Sequence, residues 1–418
     1  MNSITFGPIS RFSLLVLVAL LGAAGLVQAD FKAPDPSAAA IGRSGGNLAN
    51  VSDSSAVAIN PARLTELTQN EGQFSAILVD APTEIRPEVG FKTDSRKDLK
   101  PLGSFFVGGP IPDSDFAWGL GLYMPYGMSS IVSEFSHFRY TQAHSTKLTY
   151  VNLAPTIAVS LTDKFSVGGS LDFVYSEVEF EQAYPWALVT GFPGLPDGEA
   201  TLEGDDWTLG GTLGANYDLS DRQRLAFKLR LPTDLDYSGS TELTDIPALL
   251  PNPTVTEFGA QIRYPMEIGL GYGIDVTDKL NVGIDIQWIQ FSRLETMNIN
   301  AGVNSPLLTT SVPFNLKDAW HAGIGVAYEF LDGWTLRGGY RFEESPIEDR
   351  FLTVSLPGYD QHIVSAGLGY RCEAYFVDLA YSHSFYPTRE VSNNVVPSVN
   401  GEYDYHFNTF AMTVGFSF

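Results

Sequence analysis

The sequence predicts an all-β fold: a transmembrane antiparallel up-and-down β-barrel of about 14 strands, closed around its own N-terminal stretch. Three observations carry this. From about Glu71 to Phe418, apolar and polar residues alternate with a period of two, the mark of strands with two unlike faces. The runs extend about 10 residues or more, where strands of globular proteins usually have 5 or 6. Short and long connections alternate strictly, as in outer-membrane barrels with short periplasmic turns and long external loops.

The chain opens on a targeting segment. Arg11 precedes the apolar run from Phe12 to Leu21, and Val27-Gln28-Ala29 offers small residues for cleavage before Asp30. Residues 1–29 therefore read as a secretory signal peptide, an uncleaved anchor being the alternative. No later apolar run approaches the roughly 18 residues of a spanning helix, which excludes a helical membrane protein. Residues 30–70 follow, and within them Ala38 to Leu67 is rich in Gly, Ala and Ser. It lacks both helical spacing and strand alternation, and Asn60-Pro61 is a turn signal. Small side chains suit a segment packed inside the barrel; a surface loop before the first strand is the other reading.

Residues 71–418 form the barrel. In Leu225, Phe227, Leu229 and Leu231 one face is apolar, while Ala226, Lys228 and Arg230 make the other. Val282, Ile284, Ile286 and Trp288 oppose Gly283, Asp285 and Gln287, and Phe410, Met412, Val414, Phe416 and Phe418 form the last apolar face. Aromatics gather toward strand ends, as in the girdles of membrane barrels. The opposite faces carry Gly, Ser, Thr and isolated charges, which predicts a crowded polar interior. Lipid does not tolerate an open sheet edge, so the sheet must close. The first strand (about Glu71–Pro87) and the second (about Leu99–Gly109) are the least marked.

The third strand departs from the rule. Phe116, Trp118, Leu120, Leu122 and Met124 point to lipid, and Gly119, Gly121 and Tyr123 point inward. Pro125 then removes a ladder donor. Either the wall kinks there, or Pro125 begins an external loop of about Tyr126–Lys147. In the fifth strand Glu177, Glu179 and Glu181 continue the face of Tyr175. Carboxylates do not face hydrocarbon cheaply, so these lie beyond the external interface.

No catalytic constellation stands out. The six His residues are scattered, the single Cys372 rules out a cysteine metal cluster, and no nucleophile elbow or phosphate loop occurs. The reading is therefore of a non-enzyme with no cofactor and no metal. A formal charge of −23 argues against a nucleic-acid partner. By parity Asp172, Lys228, Arg230, Glu267, Asp285, Arg337, Arg341, Arg371 and Asp378 face the lumen. They either form cross-strand ion pairs, or one or two of Lys228, Arg230, Arg337 and Arg341 hold a carboxylate head group. Two external loops carry apolar clusters, with Trp186, Leu188, Phe192 and Leu195 in one and Ile246, Leu249 and Leu250 in the other. Such patches mark a binding surface or pack on each other.

Three stretches resemble the FadL/TodX-type outer-membrane transporters of long-chain fatty acids and aromatic hydrocarbons. They are Ala40-Ile41-Gly42-Arg43 through Asn60-Pro61-Ala62; Asp318 to Tyr340 with Ser345-Pro346-Ile347-Glu348-Asp349; and Gln361-His362 through Val377-Asp378-Leu379-Ala380-Tyr381. The resemblance implies a 14-stranded barrel plugged by an N-terminal hatch that ends in the Asn60-Pro61-Ala62 motif. It further implies passive uptake of hydrophobic molecules through the outer membrane of a Gram-negative bacterium. Substrate would land in an apolar groove between loops and leave sideways at the kinked third strand, past Gly119, Gly121, Tyr123 and Pro125. The Asn60 amide would then pair backbone groups exposed at that kink, and Ala62 would lie near Gly121. An aromatic-hydrocarbon or alkane channel and a loop-borne adhesin are the alternatives. The expected partners are a hydrophobic small molecule, outer-membrane lipid and lipopolysaccharide. The barrel-assembly machinery is expected too, since terminal Phe418 with Phe416 resembles the signal of such barrels. A monomer is expected.

Overall fold

A computed structural model describes residues 32–418 apart from 96–98, 134–135, 137, 248–254, 301–309 and 355–357. The signal-peptide reading of residues 1–29, and Leu249 and Leu250, lie outside the described residues. Fourteen antiparallel strands form one closed ring. They are β1 (Glu71–Asp80), β2 (Lys100–Pro110), β3 (Phe116–Ile131), β4 (Ser145–Thr162), β5 (Phe165–Tyr184) and β6 (Gly198–Ser220). Next come four strands of two segments each: β7 (Gln223–Arg230, Thr233–Leu243), β8 (Val255–Tyr264, Glu267–Thr277), β9 (Leu280–Ile289, Thr296–Asn300) and β10 (Thr310–Pro313, Ala319–Leu331). The ring ends with β11 (Trp334–Glu343), β12 (Gln361–Arg371), β13 (Tyr375–Phe385) and β14 (Phe407–Ser417). β1 pairs with both β2 and β14, so no sheet edge faces lipid.

The girdles fix the strands in the membrane. On one rung Phe165 opposes Tyr217; on another Tyr175 opposes Trp207, their rings 4.7 Å apart. The step from residue 165 to 175 spans roughly 33 Å of strand, or about 25 Å of height at a tilt near 40°. That matches the apolar band of an outer-membrane barrel. Glu177, Glu179 and Glu181 follow beyond Tyr175, as expected.

Three sequence expectations change. β1 ends at Asp80 rather than Pro87, and Thr83–Pro87 peels away after Pro82 into a small external sheet with Thr93–Asp94, Arg389–Val391 and Gly401–Tyr405. β3 runs on to Ile131, so its loop starts later than Tyr126. The interior is polar only in part. Toward the external end Tyr126, Leu148, Tyr150, Val174, Val178, Tyr237, Phe258 and Tyr264 join loop residues in one buried apolar cluster.

The N-terminal stretch lies inside the barrel. Its elements are α1 (Ala38–Arg43), α2 (Asn47–Asn50), α3 (Ala56–Ile59) and a 3-10 turn (Pro61–Glu66). Ser37 caps α1, and Asn60 caps the 3-10 turn with Pro61 at its first position. Between α1 and α2 the chain turns through Ser44 and Gly46 with positive φ. A Cβ on Gly45 or Gly46 would strike the backbone of Gly323 or Gly283. The glycine faces of β9–β11 are thus where hatch backbone meets wall backbone.

Leu213 faces outward, six residues from Trp207 and four from Tyr217, which places it near the middle of the apolar band. Leu213→Arg should therefore cost about 2–4 kcal/mol in reversible unfolding from lipid vesicles. A loss below about 1 kcal/mol would contradict this placement.

Candidate functional site

The wall is incomplete at one place. β2 pairs with β3 from Phe105↔Leu122 to Pro110↔Ala117 and no further, although β2 stays paired to β1 as far as Lys100. β3 stays paired to β4, but with a shift between Tyr123 and Tyr126. There Met124 and Pro125 together oppose Val151, which is a β-bulge with one extra residue. Pro125 has no N–H to give to a neighbour. It lies within the strand and does not begin the loop. The bulge also turns Met124 inward, against the period-two expectation, where it is buried and lines the lumen.

The gap is occupied by the chain's own N-terminal segment, residues 32–36, here termed the strap. Ala33 N–H donates to the Pro125 carbonyl at 2.9 Å, and Lys32 bridges to Tyr126. On the other side the Ser104 hydroxyl donates to the Pro36 carbonyl at 2.5 Å. Pro34 and Pro36 keep the segment extended. Charges tie it to the far wall. Lys32 Nζ lies 3.3 Å from Glu267 and donates to Gln287 at 2.9 Å, and Arg341 pairs with Asp35. Burial disfavours the Asp35 carboxylate, but the Arg341 guanidinium together with the Lys32 and Lys228 ammoniums outweighs it and holds the group below the usual carboxylate range. The strap was missed from sequence; its signal was the pair of prolines around Asp35, just ahead of the small-residue stretch.

Behind the strap lies a cavity of about 60 Å³, lined by Lys228, Arg230, Glu267, Tyr123, Met124 and Pro125 among others. That is room for only a few waters. Arg230 sits 3.6 Å from Asp172 and over the rings of Tyr123 and Tyr126. Arg341 also contacts Glu343 at 3.3 Å and the Ser44 carbonyl at 2.7 Å. Lys228 donates to the Ala58 carbonyl at 2.7 Å and has no carboxylate within ion-pair distance among the described residues. Arg337 is not part of this group. It pairs with Asp378 beneath the hatch, near the periplasmic turns.

Two expectations for the hatch need correction. The Asn60 amide donates to the carbonyls of Leu48, at 2.9 Å, and Ala215, at 3.3 Å, not to the gap. The Asn60-Pro61-Ala62 turn packs on Gly168 of β5 and Gly214 of β6. At β3 it is Val57 that meets Gly119 and Gly121. The ladder at both glycines is intact, so they make room for the hatch rather than loosening the strand.

The loop residues divide. Trp186 starts a short helix, α4 (Trp186–Thr190), is only 1% exposed and donates its indole N–H to the Thr244 carbonyl. It forms a small core with Tyr184, Ala200 and Leu243, onto which Leu195 and Ile246 pack. Trp186 therefore holds the two loops together and is not a groove wall. Leu188 and Phe192 stay exposed, at 74% and 56%.

Residues 19–418 match the family of outer membrane transport proteins designated OMPP1/FadL/TodX. The chain belongs to that family. It is an outer-membrane transport protein, as the sequence resemblance implied. A long-chain fatty acid transport protein of Salmonella typhi is 25% identical over 391 residues, covering 86% of this chain and 88% of the relative. A 47 kDa outer membrane protein of Pasteurella multocida is 27% identical over 393 residues, covering 87% and 89%. Among solved structures, a FadL homologue of Pseudomonas aeruginosa superposes with a TM-score of 0.80 at 20% identity, covering 93% of this chain and 100% of that one. The toluene transporter TodX of P. putida gives 0.71 at 18%, covering 93% and 99%. At these identities the structures establish the shared barrel fold of the FadL/TodX family.

A Cβ on Gly121 would lie 2.8 Å from a Val57 methyl. In a Cys372→Ser background, Val57→Cys with Gly121→Cys should cross-link readily on oxidation, and Ala62→Cys with Gly121→Cys should not. Gel mobility with and without reductant reads the difference.

Proposed function

We propose that this transporter takes up hydrophobic molecules bearing an acidic head group, long-chain fatty acids being the type, and releases them through the wall between β2 and β3. The observation that carries the reading is the interrupted ladder at Pro125, directly beside a lumenal cavity and bridged by the strap. Above that cavity the barrel interior is lined by apolar residues and tyrosines. An alkyl chain descending from the loops meets a surface it wets better than water does. Leaving sideways returns each CH₂ to hydrocarbon, worth about 0.8 kcal/mol relative to water. Exit into the periplasm forfeits that gain. The exposed Leu188 and Phe192 on the external loop are the proposed first contacts.

Lys228 supports an acid over a neutral hydrocarbon. Arg230, Arg337 and Arg341 each have a carboxylate partner already, whereas the Lys228 ammonium is hydrogen-bonded, among the described residues, to a backbone carbonyl, with Glu267 and Asp35 acting on it only from beyond ion-pair distance. A carboxylate entering the cavity would supply its counter-ion without breaking an existing pair.

Two measurements test the reading. Ala33→Cys with Pro125→Cys, in a Cys372→Ser background, should lock the strap in the gap on oxidation, abolish uptake of labelled oleate by cells, and recover it on reduction. Uptake that survives the lock would send the path down through the hatch instead. Lys228→Met should lower oleate uptake about tenfold and leave toluene uptake unchanged; equal loss of both would remove the acid-specific role.

A further inference from the structure

Beneath the hatch lies a second, larger chamber, apart from the proposed side exit. It encloses about 310 Å³ and sits among residues close to the periplasmic turns of β7–β13. Five arginines line it, Arg43 and Arg63 from the hatch and Arg224, Arg337 and Arg371 from the wall, against Asp53, Asp275 and Asp378. Counting Glu66 and Glu71, the carboxylates match the arginines in number, but among the described residues Arg43 touches none of them. Arg224 pairs with Asp275, Arg337 with Asp378, and Arg371 with Glu71 at 2.8 Å. Arg63 lies 3.5 Å from Glu66. Asp53 is taken up by Ser55 and Gln73.

Arg43 is different. It is the last residue of α1 and only 7% exposed. Its one side-chain hydrogen bond goes to the neutral side-chain oxygen of Asn281, at 2.6 Å, and its Nε has no partner among the described residues. The like charges of Arg337 and Arg224 act on it, while the carboxylates that attract it from a distance are engaged elsewhere, Asp285 by the N–H groups of Asn47 and Leu48 and Asp275 by Arg224 and Asn281. A buried guanidinium with a neutral partner and an unused N–H, facing a polar chamber beside two further guanidiniums, has hydrogen-bonding capacity left for an anion. The planar fork of such a group matches an oxyanion.

We propose that this chamber binds an oxyanion, a carboxylate or a phosphate, on Arg43 with Arg224 and Arg337 contributing, and that the bound anion fastens the hatch to the β9–β11 wall. The register offers a way to test this without removing any arginine. Ala327 of β10 lies between Asn281 of β9 and Arg337 of β11 in one cross-strand row, and it lines the chamber. Ala327→Asp places a carboxylate where the anion would sit.

The experiment uses the full chain purified in non-ionic detergent. Sodium phosphate is titrated at constant ionic strength, and the temperature midpoint of the heat-modifiable mobility shift is read. The wild type should show a saturable rise. Arg43→Gln should weaken the apparent affinity at least tenfold. Ala327→Asp should start from a higher midpoint and no longer respond to phosphate. Oleate displacing phosphate would support the site with the substrate's own head group as its source; phosphate bound unaffected by oleate would support it with a free anion. Absence of a saturable response in the wild type overturns the proposal whatever the variants do. So does an unchanged response in folded Ala327→Asp. Because the readout is anion binding and not uptake, failure here leaves the transport reading standing, and failure of side exit leaves this one.

Discussion

In hydrocarbon every backbone donor and acceptor must find a partner within the protein. That constraint closes β1 onto β14, and it makes the missing stretch of β2–β3 ladder the costliest feature of the wall. The bulge at Met124–Pro125 breaks the ladder, and the strap repairs it from inside with the Ala33 to Pro125 hydrogen bond and the Ser104 to Pro36 hydrogen bond. The repair is made of chain that is not part of the barrel. It depends on side-chain charges, Lys32 on Glu267 and Asp35 on Arg341, where the rest of the ring depends on backbone pairing.

The hatch obeys a second constraint, that of space. Its helices are a turn or two long, and their apolar contacts combine small residues such as Ala40, Ala49, Ala56 and Ala58 with a few larger ones, Leu48, Val57 and Leu64 among them. Backbone lies on backbone at Gly45 and Gly323. Single substitutions to larger residues at such contacts would move the hatch or the wall, since packed interiors have little slack.

The lumen is divided by chemistry. Apolar residues and tyrosines fill the external part, an ion-paired ring including Asp172, Arg230, Glu267, Arg341 and Glu343 crosses the middle, and the arginine-lined chamber opens below the hatch. Most of these charges are structural, each satisfied by a cross-strand or hatch partner. Lys228 and Arg43 stand apart because their hydrogen-bond partners are neutral.

The sequence by itself determined the barrel, its fourteen strands, its girdles and the location of the chain in the outer membrane. Those features follow from period two and from turn lengths, which are local and repeat along the chain. It also marked Pro125, because proline's missing N–H is a property of one residue. Only the tertiary structure decided what lies behind Pro125. The strap is nearly a hundred residues distant in the chain, and no period connects Ala33 with Pro125. Parity misplaced Met124, since one extra residue in a bulge flips the face that follows. Parity placed Lys228, Arg230, Arg337 and Arg341 in the lumen but not at one height, so it grouped Arg337 with a cavity on the other side of the hatch. Trp186 read as a groove wall because an apolar loop residue looks the same in sequence whether it meets a ligand or another loop. Contact between distant segments, and height along a tilted strand, are three-dimensional quantities, and the pattern of residues carries neither.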